Sequence, residues 1–317
     1  MHDQIWLIGA GGMAIDYIKI LQALKKEFIV IGRGENTAKK CEKATDCKVQ
    51  IGGIEKYLAI NPKLCSHAIV AVGMEKLYDT TKQLLEYGVK NILVEKPGAL
   101  YTWEFKKLNN LVKDKNANVI IGYNRRFYAS VLKAQKIIEQ DEGVSSFNFE
   151  FTEWAHIIEP LVKAEGVKEK LFLGNSSHVV DLAFYLGGKP KQISCFTNGK
   201  LAWHPSASSF SGAGISEKSA LFNYQANWES AGRWSIEILT TKHRLIFRPI
   251  EKLQIQKCGE IVQNFDNAID YTLDEKYKPG LYLQTKNFLE NNIKRMCSIE
   301  EQYKMVDIYN KMANYEN

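Results

Sequence analysis

The sequence predicts a two-domain α/β protein. A doubly wound parallel sheet spans residues 1–122, and an α+β domain with a mostly antiparallel sheet spans 123–317. Three features carry this reading. Short apolar runs alternate with amphipathic segments as far as Gly122, as parallel strands covered on both faces by helices do. A glycine-rich turn follows the first run. Beyond Pro190 apolar and polar residues alternate within the runs themselves, the pattern of antiparallel strands with one solvated face.

Taken in order, the first-domain strands are expected at 4–8, 27–31, 67–72, 91–94 and 118–121. The intervening helices carry their apolar residues at three-to-four spacing: Ala14, Tyr17, Ile18, Leu21 and Leu24, then Leu77, Thr81 and Leu84, then Phe105, Leu108 and Leu111. In the second domain a helix is expected at about 128–139, a strand at 146–151 and a helix at 175–186. Strands follow at 193–196, 220–228, 234–239 and 244–247. In the second of these, Phe222, Tyr224, Ala226 and Trp228 alternate with Leu221, Asn223, Gln225 and Asn227. The Ser/Gly-rich stretch 206–216 has no periodicity and reads as a long surface loop, and 281–317 reads as helical.

Composition narrows the function. At 317 residues, with 45% hydrophobic and 25% charged residues, the chain suits a soluble protein with two cores. There is no long apolar run to span a membrane and no signal-peptide progression at the start. The six cysteines are scattered without C-x-x-C spacing, which favours reduced thiols, a cytoplasmic location and no metal centre. The net charge of +6 is spread along the chain, so nucleic acid is a poor partner and a small anionic ligand a better one.

The turn after the first strand reads Gly9-Ala10-Gly11-Gly12-Met13-Ala14 and fits G-x-G-x-x-A. Gly9 permits the turn, Gly11 lets backbone approach a pyrophosphate, and Ala14 lets the helix pack on the strand. The phosphates would sit on unpaired N–H groups at the start of that helix. This is the fingerprint of a Rossmann dinucleotide site; the plain alternative is a glycine turn without a ligand. At the end of the second strand an NAD site usually places a carboxylate on the ribose 2′-hydroxyl. Here the chain reads Gly32-Arg33-Gly34-Glu35-Asn36-Thr37. Arg33, assisted by Asn36, Thr37 and Lys40, would pair with a 2′-phosphate, so NADP(H) is favoured over NAD(H). Glu35, facing the ribose instead, would reverse that order. Val72, at the end of the third apolar strand candidate, is a further cofactor contact.

Glu95-Lys96-Pro97 stands at the end of the strand expected at 91–94, on the sheet edge where open α/β folds bind ligands. A lysine there would take or give a substrate hydroxyl's proton, though a lysine at a strand end is more often plain surface. Glu95 fixes Lys96, reaches the nicotinamide ribose, or caps a turn. With the glycine loop and the later Gly122-Tyr123-Asn124-Arg125-Arg126-Phe127, this tripeptide resembles the glucose–fructose oxidoreductase/inositol dehydrogenase (Gfo/Idh/MocA) family over most of the chain. The resemblance implies NAD(P)-dependent chemistry at a secondary hydroxyl or ketone of a sugar, cyclitol or nucleotide-sugar. It also implies that Lys96 is catalytic and that a cis peptide precedes Pro97.

A second motif is Asn175-Ser176-Ser177-His178, with His178, Asp181, Leu182 and Tyr185 on one helical face. The resemblance implies a substrate-facing aspartate four residues before the histidine. This chain has Gly174 there and Asn175 one residue later. His178 is taken as a second acid–base or orienting group, and Lys96, Tyr123, Asn124, Arg125, Asn175 and His178 as the substrate contacts. Asp181 is taken as a buried partner and Arg126 as a structural ion-pair member. Trp154, His156, Trp203 and His204 either line the sugar site or fill the core. The family's frequent histidine after the strand ending at Val72 is missing: Gly73-Met74-Glu75-Lys76 follows. A homodimer or homotetramer is expected. The competing reading from another class is a non-catalytic dinucleotide-binding regulator, and a third is an amino-acid-pathway dehydrogenase.

Overall fold

The computed structural model describes residues 4–315, in two compact units. One unit runs to Tyr123 and takes back Leu281–Met305; the other comprises Asn124–Gly280 and the residues from Val306 onward. The sequence reading gave the whole of 123–317 to the second domain, whereas the contacts return a C-terminal segment to the first.

In the first unit strands and helices alternate: β1 (Ile5–Ile8), α1 (Gly12–Ala23), β2 (Phe28–Gly32), α2 (Glu35–Thr45), β3 (Val49–Ile51), α3 (Gly53–Ala59), β4 (His67–Val70), α4 (Leu77–Tyr87), β5 (Asn91–Val94), α5 (Thr102–Asp114) and β6 (Asn118–Ile121). The strands pair in parallel in the order β3-β2-β1-β4-β5-β6. That is the doubly wound order, in which the crevice lies beyond the strand ends where the order reverses, between β1 and β4. All residues of β1 and β4 are buried, as their unbroken apolar runs require. The region 281–317 is not wholly helical. Cys297–Ser298 forms a short strand antiparallel to β6, between helices Leu281–Leu289 and Ile299–Ala313. Two residues are too few for a periodic signal, so only the neighbouring edge reveals this strand.

The second unit holds α6 (Ala129–Gln140), β7 (Ser146–Glu150), α7 (Ala155–Ile158), α8 (Ser177–Gly187), β8 (Pro190–Asn198), β9 (Ser209–Ser216), β10 (Leu221–Asn227), β11 (Ser235–Leu239), β12 (His243–Phe247), β13 (Gln254–Lys257), β14 (Asn264–Phe265) and α9 (Thr272–Lys276). The sheet order is β14-β13-β12-β11-β7-β10-β9-β8, antiparallel except between β7 and β10. One face packs on α8 through Phe147, Phe149, Phe184, Phe222 and Tyr224, whose rings meet at 5.2–6.4 Å. The alternation in β10 is realised residue by residue, with Phe222, Tyr224 and Ala226 buried and their neighbours exposed.

The stretch 206–216 is not a surface loop. Ser209–Ser216 is β9, a strand paired on both sides. Its glycines replace the missing apolar alternation. A Cβ on Gly212 would meet the Tyr224 ring at 2.4 Å, and one on Gly214 the Phe222 ring at 2.6 Å. The rings of β10 therefore fill the space that side chains of β9 would otherwise occupy.

Candidate active site

In the first unit the candidate residues gather at the ends of β1, β2 and β5. Gly9 has φ +128°, and a Cβ there would lie 2.2 Å from the Ala71 carbonyl oxygen, so only glycine fits without displacing β4. Ala10 is buried, while Gly11 and Gly12 are exposed and open space surrounds both. Gly11 caps α1 without a side-chain hydrogen bond, and no acidic residue occupies the first turn. Met13 is half-buried behind it. The start of a helix, its positive dipole end and the open space at Gly11 and Gly12 make a cradle of the kind that suits a pyrophosphate.

At the end of β2, a Cβ on Gly32 would lie 2.7 Å from Val49 Cγ1 and 3.1 Å from Ala10 Cβ. Packing therefore excludes any carboxylate from this position. Arg33, Asn36 and Thr37 are exposed, with Thr37 Oγ1 donating to the Gly34 carbonyl at 3.0 Å. Glu35 Oε2 lies 3.6 Å from Lys39 Nζ on the surface of α2. Val72 is half-buried just beyond β4.

The Glu95–Pro97 turn is held from three sides. Glu95 N donates to the Val70 carbonyl at 2.9 Å, and Tyr17 Oη donates to Glu95 Oε1 at 2.7 Å. Burial, followed by the Glu95 charge, holds the Tyr17 hydroxyl well above its ordinary pKa, so it stays a donor. The Lys96–Pro97 peptide is cis. Gln302 Nε2 donates to the Pro97 carbonyl at 3.1 Å and to Tyr123 Oη at 3.0 Å. Lys96 itself is half-buried. Tyr123 is fully buried in this unit.

In the second unit a cavity of about 610 Å³ opens beside the β7 and β11 ends, lined by Arg125, Asn175, Arg233, Trp234, Arg248 and Glu251 among others. Trp234 organises it. The Arg125 and Arg233 guanidinium carbons lie 4.7 and 4.5 Å from its ring centre, and the His178 ring lies 6.3 Å away. His178 is 7% exposed. Arg125 and Asn175 are thus the expected substrate contacts that line the cavity, with His178 beside it. Asn124 instead donates to the Pro279 carbonyl at 2.7 Å.

Asn175 belongs to a π-helical turn, Phe172–Ser176, that leads into α8. Such turns insert one residue and re-aim a side chain. The Asn175 amide reaches Glu153, donating to both carboxylate oxygens at 3.0 Å, while Ser176 Oγ donates at 2.9 Å. Arg233 lies 3.4 Å from Glu153 Oε2. Burial pushes the Glu153 carboxyl up to about 6 despite these donors. A carboxylate absent at Gly174 is therefore present three residues past β7, and sequence reasoning missed it. It also missed Arg233, Trp234 and Arg248; an arginine–tryptophan pair opening a strand was the only local signal.

Asp181 and Arg126 form a bidentate pair at 2.9 and 2.5 Å, 5% and 3% exposed. His204 is core, packed on Trp228 at 4.6 Å. Trp203 stacks on the same indole. Trp154 donates to the Gly232 carbonyl at 2.9 Å beneath Arg233, and His156 is exposed. All six cysteines are free, and no group of three or more metal-ligating side chains occurs among the described residues. No helix there is long and apolar enough to cross a membrane.

Comparison with known proteins agrees with this architecture. No curated protein matches the chain. Among solved structures it is similar to levoglucosan dehydrogenase in complex with NADH and L-sorbose, at TM-score 0.79 and 16% identity, over 98% of this chain and 96% of that one. It is similar to the WlbA dehydrogenase of Chromobacterium violaceum, solved with NADH and UDP-GlcNAcA, at TM-score 0.73 and 14% identity, over 98% and 93%. A dehydrogenase (MviM) of Clostridium difficile aligns over the full length of both chains at TM-score 0.78 and 19% identity. Likeness at such identities establishes the fold. The family model described as oxidoreductase family, NAD-binding Rossmann fold, matches residues 4–123. Residues 4–123 thus match the model of the family that the glycine loop and the Glu-Lys-Pro tripeptide resemble.

Proposed function

We propose that the protein is an NADP(H)-preferring dehydrogenase or reductase acting on a secondary hydroxyl or ketone of a sugar, cyclitol or nucleotide-sugar. The observation that carries this reading is the Glu95–Lys96–Pro97 turn, fixed by Tyr17 and Gln302 at the strand ends beside an open pyrophosphate cradle. The first unit would serve as the dinucleotide-binding domain, the second as the substrate domain. Gly9–Met13, Val72 and Glu95 would hold the dinucleotide, and Arg33 with Asn36 and Thr37 the 2′-phosphate. The excluded side chain at Gly32 supports the phosphorylated cofactor, because no carboxylate can stand there to repel it.

The nicotinamide, when bound, supplies the acceptor or donor of hydride. Lys96 Nζ takes the hydroxyl proton as the C–O bond becomes a carbonyl, and returns it in the reverse direction. His178 orients the substrate hydroxyl or relays the proton, and Asn175, its amide nitrogen held by Glu153, accepts through Oδ1 from a neighbouring hydroxyl.

Steady-state turnover over a panel of sugars, cyclitols and nucleotide-sugars, with NADH and NADPH separately, tests the reading. Substitution Lys96→Ala should lower kcat by about 10²–10⁴-fold while dinucleotide fluorescence still titrates. Full activity in that variant would sink the assignment.

A further inference from the structure

We propose that the cavity of the second unit is a subsite for an anionic substituent of the substrate, a carboxylate or phosphate gripped by Arg125 and Arg233. The proposal deepens the carbohydrate reading above and rests on it for the identity of the ligand's remainder.

Three guanidiniums line one cavity, and they are not equally neutralised. Arg248 is satisfied, lying 3.2 Å from Glu150 Oε2 and donating to Ser235 Oγ at 2.9 Å. Arg233, its side chain 46% exposed, has Glu153 beneath it at 3.4 Å, and that carboxylate already accepts from Asn175 and Ser176. Arg125 has a buried Nε with no hydrogen-bond partner. Its nearest aromatic faces are Trp234 and, at 6.0 Å, Tyr128.

Two cations over a single indole repel one another, and burial weakens the hold of Arg125 on its charge, Arg233 adding to that while Tyr128, Glu251 and Glu153 oppose it. Cation–π attraction offsets part of that repulsion. A bound anion would offset the rest and give the orphaned Nε an acceptor. A planar guanidinium presents paired N–H donors whose spacing matches carboxylate and phosphate oxygens. Glu150 and Glu251 also line the wall and repel an anion, so the guanidiniums hold one only by outweighing them.

The cavity also lies beside His178. Trp234 carries both arginines and packs near His178, and Asn175 lines the same wall. An anion fixed on the arginines would set which carbon of the sugar stands before His178. The two sources of such an anion are a uronate carboxylate and a sugar phosphate, and they differ in geometry and charge.

Calorimetric titration of the full chain with glucose and glucuronate, galactose and galacturonate, and glucose 6-phosphate separates the cases. The expected result is that an acidic sugar binds at least about tenfold more tightly than its neutral counterpart, with a margin that shrinks in high salt. Preference for a uronate identifies a carboxylate site, and preference for glucose 6-phosphate a phosphate site. In Arg125→Gln and Arg233→Gln, checked for folding by near-ultraviolet circular dichroism, the margin should fall below about threefold. Equal binding of acidic and neutral sugars, no binding of any acidic sugar, or a margin that survives both substitutions overturns the proposal. Because binding is read rather than turnover, the two readings fail separately. Anion-selective binding without hydride transfer would sink the oxidoreductase reading and leave the subsite; turnover of neutral sugars alone would do the reverse.

Discussion

Around Glu95–Pro97 the partners lie inside one unit: Tyr17 on the carboxylate, Val70 on the backbone, Gln302 on the proline carbonyl. Around Trp234 the partners are incomplete, with two guanidiniums over one ring and an unpaired Nε among them. The first arrangement fixes one turn of backbone in place. The second stores unsatisfied charge, and unsatisfied buried charge is tolerated where a ligand will meet it.

The same contrast occurs between adjacent residues. Arg126 is locked to Asp181 in the interior, while Arg125 faces the cavity. Substituting Asp181→Asn strands a buried guanidinium and should cost about 3–5 kcal/mol in urea unfolding. Arg125→Gln should change stability by about 1 kcal/mol or less, since it removes repulsion along with cation–π contact. Equal losses in the two variants would erase the distinction drawn between them.

Glu153 sharpens the comparison next. Its folded carboxyl, near 6, lies above its ordinary 4.5, so the folded chain keeps a proton the unfolded chain has lost. Wild-type stability should therefore fall between about pH 4.5 and 6, by roughly 2 kcal/mol. Glu153→Gln should not show that fall, and its advantage over wild type should grow across the same window. Chemical denaturation at a series of pH values measures it; parallel curves would mean that Glu153 titrates normally.

The smallest effect concerns the first unit. Arg33→Ser should weaken NADPH binding by about tenfold, with little change for NADH, because one charge-assisted contact is lost. Identical losses for both cofactors would place Arg33 away from the 2′-position.

Legibility followed how local each feature is. Strands β5 and β6 end where their apolar runs end, and the glycine loop is a contiguous string whose spacing states its geometry. The β9 strand escaped because its pattern depends on the rings of β10, outside any window of its own sequence. Glu153, Arg233 and Asn175 lie far apart in the chain and meet only when β7, β11 and the turn before α8 are assembled. Arg125 and His178 were legible as candidates; that one indole brings them near each other was not.

The strand Cys297–Ser298 and Gln302 come late in the chain, yet one extends the sheet at β6 and the other bonds the Pro97 carbonyl. During synthesis the Rossmann sheet would therefore keep an open edge at β6 until that distant segment has emerged. The turn that carries Lys96 would lack one of its fixing bonds for the same interval. A growing chain would thus complete its glycine loop well before the turn that carries Lys96 is fully fixed.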